Sequence, residues 1–273
     1  MSNLIRMDLF KLRRSKFFLA ICITIFAVTF IAPLLIKGFL EILKNMLGNT
    51  DGLDDASATE LAGMINDLSI SAPFSGILRN PFAGLSMVII PTMIFIVSFL
   101  HLDLNNGYIK NIAGQLPSRG YLAVSKYLVL GFAELVFLVL GIAGSTLGCL
   151  VSRGLSFDEN IGSGLLELLL KFLLFWGLTA VLLLISNGLG SKTFAIVAGV
   201  IFSTGALSII YMPLSYAFNQ LLKTNTIDIA RYAPDQMFLA TNIDVLAACI
   251  GSAVMIAAGL ILTIRLMNKK DVK

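Results

Sequence analysis

Apolar runs about twenty residues long alternate with polar stretches along the whole chain, and charged residues mark where each run stops. Six runs meet the length of a helix crossing a hydrocarbon layer of about 30 Å: residues 17–36, 81–100, 127–150, 165–185, 193–211 and 243–264. In lipid the backbone polar groups must be satisfied within the segment, so these runs predict helices. The first two contain no charge, the third contains Glu134, and the fourth carries Glu167 and Lys171 near its start. The pattern predicts an all-α polytopic membrane protein forming one transmembrane domain over residues 1–273.

Between the runs the loops are unequal. Residues 37–80 and 212–242 are long enough to hold structure. Within the first, GFLEILKNML has amphipathic helical spacing, and Ser57-Ala-Thr-Glu60 reads as a capping box opening a short helix through Leu68. Within the second, LSYAFNQLL suits a helix lying on or dipping into the interface. A basic amphipathic arm precedes the first run. That run exceeds a signal-peptide core and no A-x-A-like site follows it, so it is expected to be a retained anchor.

Composition agrees with lipid as the solvent. The chain has 273 residues, 57% hydrophobic and 13% charged, with a mean hydropathy of +0.90. Ordinary soluble domains run nearer about 45–50% and 25%, so a water-soluble single domain is a poor fit. The three cysteines, Cys22, Cys149 and Cys249, lack metal-ligand spacing and read as small apolar residues. A single histidine, His101, has no second acid–base cluster beside it and reads as an anchor at the membrane interface.

Charge also orients the chain, because Lys and Arg are retained on the cytoplasmic side. One side collects Arg6, Lys11, Arg13, Arg14, Lys16, Lys110, Arg119, Lys126, Lys192, Arg265, Lys269, Lys270 and Lys273. The other has only Lys37, Lys44, Arg79, Arg153, Lys223 and Arg231, spread over longer loops. Both termini are therefore expected in the cytoplasm, and the segment 101–126 is the one substantial loop on that side. In it, Asn105 or Asn106 can cap a short helix, Tyr108, Ile109 and Ile112 form its apolar stripe, and Gly114 and Pro117 stop it.

This loop resembles that of the permease subunits of type-2 ABC exporters. The matching positions are Asp103, at a place often held by Glu, then Gly107, Ile109-Lys110-Asn111, Pro117-Ser118-Arg119 and Lys126. The basic arm, six spans, cytoplasmic termini and a large outer segment before the last span extend the likeness over the whole chain. The resemblance implies that the loop is a coupling helix seated on a separate ATPase subunit, with Asp103, Gly107, Ile109, Lys110, Asn111, Pro117, Ser118 and Arg119 as the contact residues. It further implies a second permease subunit, identical or related, and export of an amphipathic substrate, either a bacteriocin-like peptide or a drug, across a bacterial plasma membrane. No nucleic acid is implied.

The chain itself is not expected to be an enzyme or to hold a cofactor. Gly188-Leu-Gly-Ser-Lys192-Thr193 lacks the glycine that a phosphate loop places before its lysine, so ATP and Mg belong to the partner. Glu134, about seven residues into its span, is a candidate intramembrane polar site, because a carboxylate there is expensive to keep. Glu167 and Lys171, four apart, are expected to pair on one helix face. Small residues at four-residue spacing, Gly144/Gly148, Ala195/Gly199/Ser203 and Ala247/Gly251, predict close helix approach. Two other functions fit the same composition: a secondary transporter driven by an ion gradient, and a non-transporting membrane sensor or assembly protein.

Overall fold

The computed structural model describes residues 2–47, 72–80, 89–105, 118–152, 154–222, 228–240 and 243–269. The predicted loop helices at 57–68 and 106–117 lie outside these residues. The described helices are α1 (Ser2–Arg14), α2 (Lys16–Leu47), α3 (Phe74–Arg79), α4 (Ile89–Asn105), α5 (Gly120–Ser152), α6 (Ile161–Leu189), α7 (Lys192–Thr204), α8 (Ser208–Leu222), α9 (Ile229–Tyr232), α10 (Pro234–Leu239) and α11 (Val245–Lys269). Two short strands, β1 (Ala72–Pro73) and β2 (Leu155–Ser156), pair in parallel.

Four of these helices, α2, α5, α6 and α11, are long and apolar enough to cross a membrane, and the bent pair α7–α8 brings the number to five if it counts as one span. The chain is an all-α membrane protein. Its outward side chains agree: Leu19, Ile23 and Leu35 on α2 and Leu246, Ile250 and Val254 on α11 are all more than half exposed. In water such surface would drive aggregation, whereas in lipid it is the ordinary exterior of a spanning helix.

Two of the expected boundaries move. The amphipathic run 38–47 continues α2 without a break, giving 32 residues that pass through Pro33, because a lipid-embedded helix tolerates a proline whose freed carbonyl finds other partners. The run 193–211 is interrupted: α7 ends at Thr204, Gly205 takes a φ of 68°, and α8 restarts at Ser208 with a 66° change of direction. Glycine adopts this left-handed conformation at little cost, which makes it a natural stop for α7.

The described chain folds as two compact units. The first comprises residues 1–22, 85–137 and 169–273. In it α4 packs along α7, with Met93 against the buried face Ala195, Gly199 and Ser203. Phe17, Phe18, Phe95 and Phe137 form an aromatic cluster with centroids 5.5–5.7 Å apart. A stripe of α11, Ala248, Ser252, Gly259 and Thr263, is buried, and at the expected Gly251 a Cβ would stand 3.3 Å from Pro234 Cγ of α10. A Cβ at Gly259 would stand 2.8 Å from the backbone of Ala180, so α6 and α11 meet there at backbone distance.

The second unit comprises residues 23–84 and 138–168. Here the expected close approach occurs at Gly144 and Gly148, which face Phe26, Thr29 and Phe30 of α2. Phe74 and Phe157 pack with centroids 5.6 Å apart beside the β1–β2 pair. Asp158 receives both the backbone N–H of Ser75, at 3.1 Å, and its hydroxyl, at 2.5 Å. That hydroxyl, first among several hydrogen bonds, holds the Asp158 carboxyl below its usual range.

Candidate functional site

Polar groups are costly in an apolar chain, so those that are buried and paired mark where the fold has been fixed on purpose. In the first unit some of them lie on the helices that flank residues 106–117, beside bonds that are more exposed. Lys126 of α5, nearly buried, donates from Nζ to the carbonyl of Leu100 on α4 at 3.1 Å. The exit of the segment is tied to α11, because Asn268 Oδ1 accepts from Ser118 Oγ at 3.1 Å and from the Gly120 N–H at 3.2 Å. The Ser118 and Arg119 carbonyls accept from Tyr121 and Leu122 to start α5.

The N-terminal arm joins the same region. Leu4, Asp8 and Leu12 repeat at four-residue spacing and are all buried, so α1 is packed through one stripe rather than merely resting on lipid. Asp8 is the acid in that stripe, and its Oδ2 accepts from Ser125 Oγ at 2.7 Å, while Lys11 lies 3.9 Å away. A hydrogen bond to a charged group contributes about 1.5–3 kcal/mol when buried. His101, expected at the interface, is buried as well: its Nδ1 is 3.2 Å from the Val97 carbonyl and 3.1 Å from Ser186 Oγ of α6.

Of the residues singled out for coupling, Asp103 lies in the last turn of α4, and Ser118 and Arg119 lead into α5. Gly107, Ile109, Lys110, Asn111 and Pro117 fall outside the described residues. Asp8, Ser125 and Asn268 were missed. The one acid in an otherwise basic arm was a usable signal for Asp8, whereas Asn268, in a polar tail, gave none.

Glu134 sits on a second polar stripe. On α5, Tyr127, Gly131 and Glu134 share a face, and on α6 Trp176 and Thr179 answer them. Tyr127 and Trp176 stack at 4.9 Å, with Trp176 Nε1 donating to the Tyr127 carbonyl at 3.3 Å. Gly131 makes room for the indole, since a Cβ there would lie 2.4 Å from Nε1. Glu134 is completely buried and accepts from Thr179 Oγ1. Its Oε2 and the Tyr127 hydroxyl have no hydrogen-bond partner among the described residues.

No family model, curated protein or solved structure matches the chain. What the chain does therefore rests on its own residues.

Two further arrangements complete the picture. Glu167, expected to pair with Lys171, also has a partner far away in the sequence. In the second unit Arg79 Nε lies 3.2 Å from Glu167 Oε1, and Arg79 Nη2 donates to Ser163 Oγ at 3.0 Å. A planar guanidinium can serve both at once. Lys171 is itself buried, so it is not a rim residue reaching for water. In the first unit the α7–α8 bend is latched by Gln236 of α10, whose Nε2 donates to the Gly205 carbonyl at 2.9 Å and to Asp235 Oδ2 at 3.0 Å. Tyr211 of α8 donates to Asp235 Oδ1 at 3.0 Å. Beside this latch is a cavity of about 410 Å³ lined by Ala230, Arg231, Gln236, Met237, Ala240 and Asp244, among others.

Proposed function

We propose that the chain is the membrane-spanning permease subunit of a type-2 ABC exporter, moving an amphipathic substrate outward with energy from separate ATPase subunits. The observation that supports this reading is the tying together of the helices that flank residues 106–117, through Lys126 to Leu100 and through Asn268 to Ser118 and Gly120. A segment that passes a partner's rigid-body movement into spanning helices must not slacken at its attachments. Ties to α4, α5 and α11 deliver such movement to three helices at once. On this reading ATP binding closes the ATPases, the segment follows, and the spans shift to open an outward path. Six spans, with residues 81–100 as the second and α7–α8 as a bent fifth, would put both termini in the cytoplasm, and a second permease subunit would complete the assembly.

The test is purification of the chain with an ABC ATPase encoded beside it. Replacing Lys110-Asn111 and Arg119 is expected to abolish stimulation of ATP hydrolysis while leaving the permease folded. Unchanged association and stimulation would refute the coupling role.

One pair of observations favours an ion-gradient-driven carrier instead: the buried carboxylate of Glu134 and the broken α7–α8 helix, both features of such proteins. Transport in vesicles that survives ATP depletion but stops with a protonophore would select that reading.

A further inference from the structure

Another cavity, of about 370 Å³, lies where α1 meets α2, and its size falls within the range of about 300–1,000 Å³ usual for ligand sites. The two helices are separated by one residue, Ser15, whose hydroxyl oxygen accepts from the Phe18 N–H at 3.2 Å and caps α2. Leu9, Leu12 and Arg13 from the end of α1, Phe18, Leu19 and Cys22 from the start of α2, and Phe132 of α5 line the cavity, all within the first unit. Arg13 is the one charged group among them. Leu19 and Phe132 are more than half exposed, as are the lipid-facing residues farther along α2, so the groove opens onto lipid.

Charge decides which lipid suits it. Arg13 is exposed, and its side chain has no hydrogen bond or ion pair among the described residues. Lys11, by contrast, lies 3.9 Å from Asp8, and the Arg14 guanidinium sits over the Phe10 ring at 4.6 Å. Asp8, the one acid of α1, is already engaged by Ser125. An apolar groove open to lipid therefore carries an uncompensated guanidinium at its edge.

We infer that this groove binds one anionic phospholipid, with its phosphate on Arg13 and an acyl chain along Leu9, Leu12, Phe18 and Leu19. The planar fork of a guanidinium matches a phosphate with two parallel hydrogen bonds, and the apolar walls take the chain that a free phosphate lacks. A zwitterionic lipid offers the same phosphate but brings an ammonium toward an arm whose Arg6, Arg14 and Lys16 are exposed as well; those cations repel it and favour a lipid with net negative charge. The bound lipid would tie the arm to α2 and α5. The inference does not rest on the transport reading, since an exporter and a carrier would hold the arm in the same way.

The full chain is purified in detergent, delipidated, and titrated with phosphatidylglycerol and with phosphatidylcholine of the same acyl chains, the bound copies being counted by native mass spectrometry. One phosphatidylglycerol is expected to bind at least about tenfold more tightly than phosphatidylcholine. Arg13→Gln should remove that preference. Arg14→Gln, which takes away the same charge one residue along but outside the groove, should leave most of it. Cys22→Phe crowds the groove, and Leu19→Ser makes its wall polar at an exposed position where folding is least at stake; both should weaken the two lipids several-fold. Equal affinity for the two lipids would overturn the inference. So would a preference that survives Arg13→Gln, or one that falls as far with Arg14→Gln, because either leaves only a general attraction between a basic arm and negative charge. Displacement of the lipid by millimolar inorganic phosphate would likewise overturn it and give Arg13 to the free ion.

Discussion

Alanine at Gly148 and alanine at Gly38 should have opposite consequences for the second unit. A Cβ at Gly148 would lie 2.4 Å from the Phe30 carbonyl oxygen, 3.1 Å from Pro33 Cγ and 3.2 Å from the Phe30 carbonyl carbon. The nearest obstacle is backbone, so no rotamer change relieves it. Restoring ordinary contact, which begins near 3.4 Å, requires α2 and α5 to part by roughly 1 Å. A gap of that size forfeits about a quarter to a half of each dispersion contact it opens, and overpacking of this kind costs about 1–3 kcal/mol. Gly38, also inside α2, has nothing within 4 Å of its would-be Cβ, so alanine there gains helix propensity of up to about 1 kcal/mol. Thermal unfolding in detergent can be followed by the reaction of buried Cys149 with a fluorogenic maleimide, in a Cys22→Ser, Cys249→Ser background. At about 2 °C per kcal/mol for a chain of this size, Gly148→Ala should lower the midpoint by about 2–6 °C, while Gly38→Ala leaves it unchanged or raises it. Gly144→Ala, whose Cβ would meet Thr29 Oγ1 at 2.2 Å and the Phe26 carbonyl at 2.8 Å, should add less than its own cost to Gly148→Ala, because the helices have already parted. Equal shifts for Gly38 and Gly148 would refute the account of the helix contact.

Other outcomes follow from the polar contacts. Because Asp158 titrates below its usual range when folded, its contribution is fully present above the unfolded value of about 3.9 and is lost as pH falls through the folded value; Asp158→Asn should therefore flatten the acid limb of a stability–pH profile. Lys126→Met keeps the apolar stem but unties Leu100, and Asn268→Ala releases Ser118 and Gly120; under the proposed exporter function both should reduce stimulation of a co-purified ATPase, while the Asn268 variant shifts the unfolding midpoint by no more than about 2 °C. Glu134→Ala strands the Thr179 hydroxyl in a buried setting and should destabilise by about 1–3 kcal/mol, with Glu134→Gln closer to the parent by the same unfolding assay. Gly205→Ala forces a left-handed residue and places a Cβ 2.8 Å from Leu239 Cδ1, so it should lower the midpoint by a few degrees more than Gly190→Ala, where φ is 64° but nothing lies within 4 Å.

What the sequence made legible was set by hydropathy, and what it hid was set by distance along the chain. Apolar length alone located α2, α5, α6 and α11, because a helix in lipid needs little more than an uninterrupted run. The same criterion misjudged two boundaries. It ended the first helix at Lys37, although a charge at the edge of lipid does not stop a helix, and it ran straight through Gly205, where a local φ decides the geometry and composition is silent. Glu167 has a partner in Arg79, 88 positions distant, which no local spacing could show. Glu134 was legible as a buried carboxylate, but Thr179 and Gly131, which shape its surroundings, were neutral residues among many alike, and Trp176, the single tryptophan, carried no sign of where it packs.

The docking of α1 through Asp8 onto Ser125 has a temporal meaning. The two residues are separated by 117 positions, so at translation rates of about 5–20 residues per second the arm leaves the ribosome roughly 6–23 s before its partner exists. Throughout that interval Asp8 lacks its partner on α5, and the arm must wait while α2 and α4 are made. Engagement of Asp8 thus reports that α5 has been made, so the beginning of the chain is finished only after α2 and α4 have followed it.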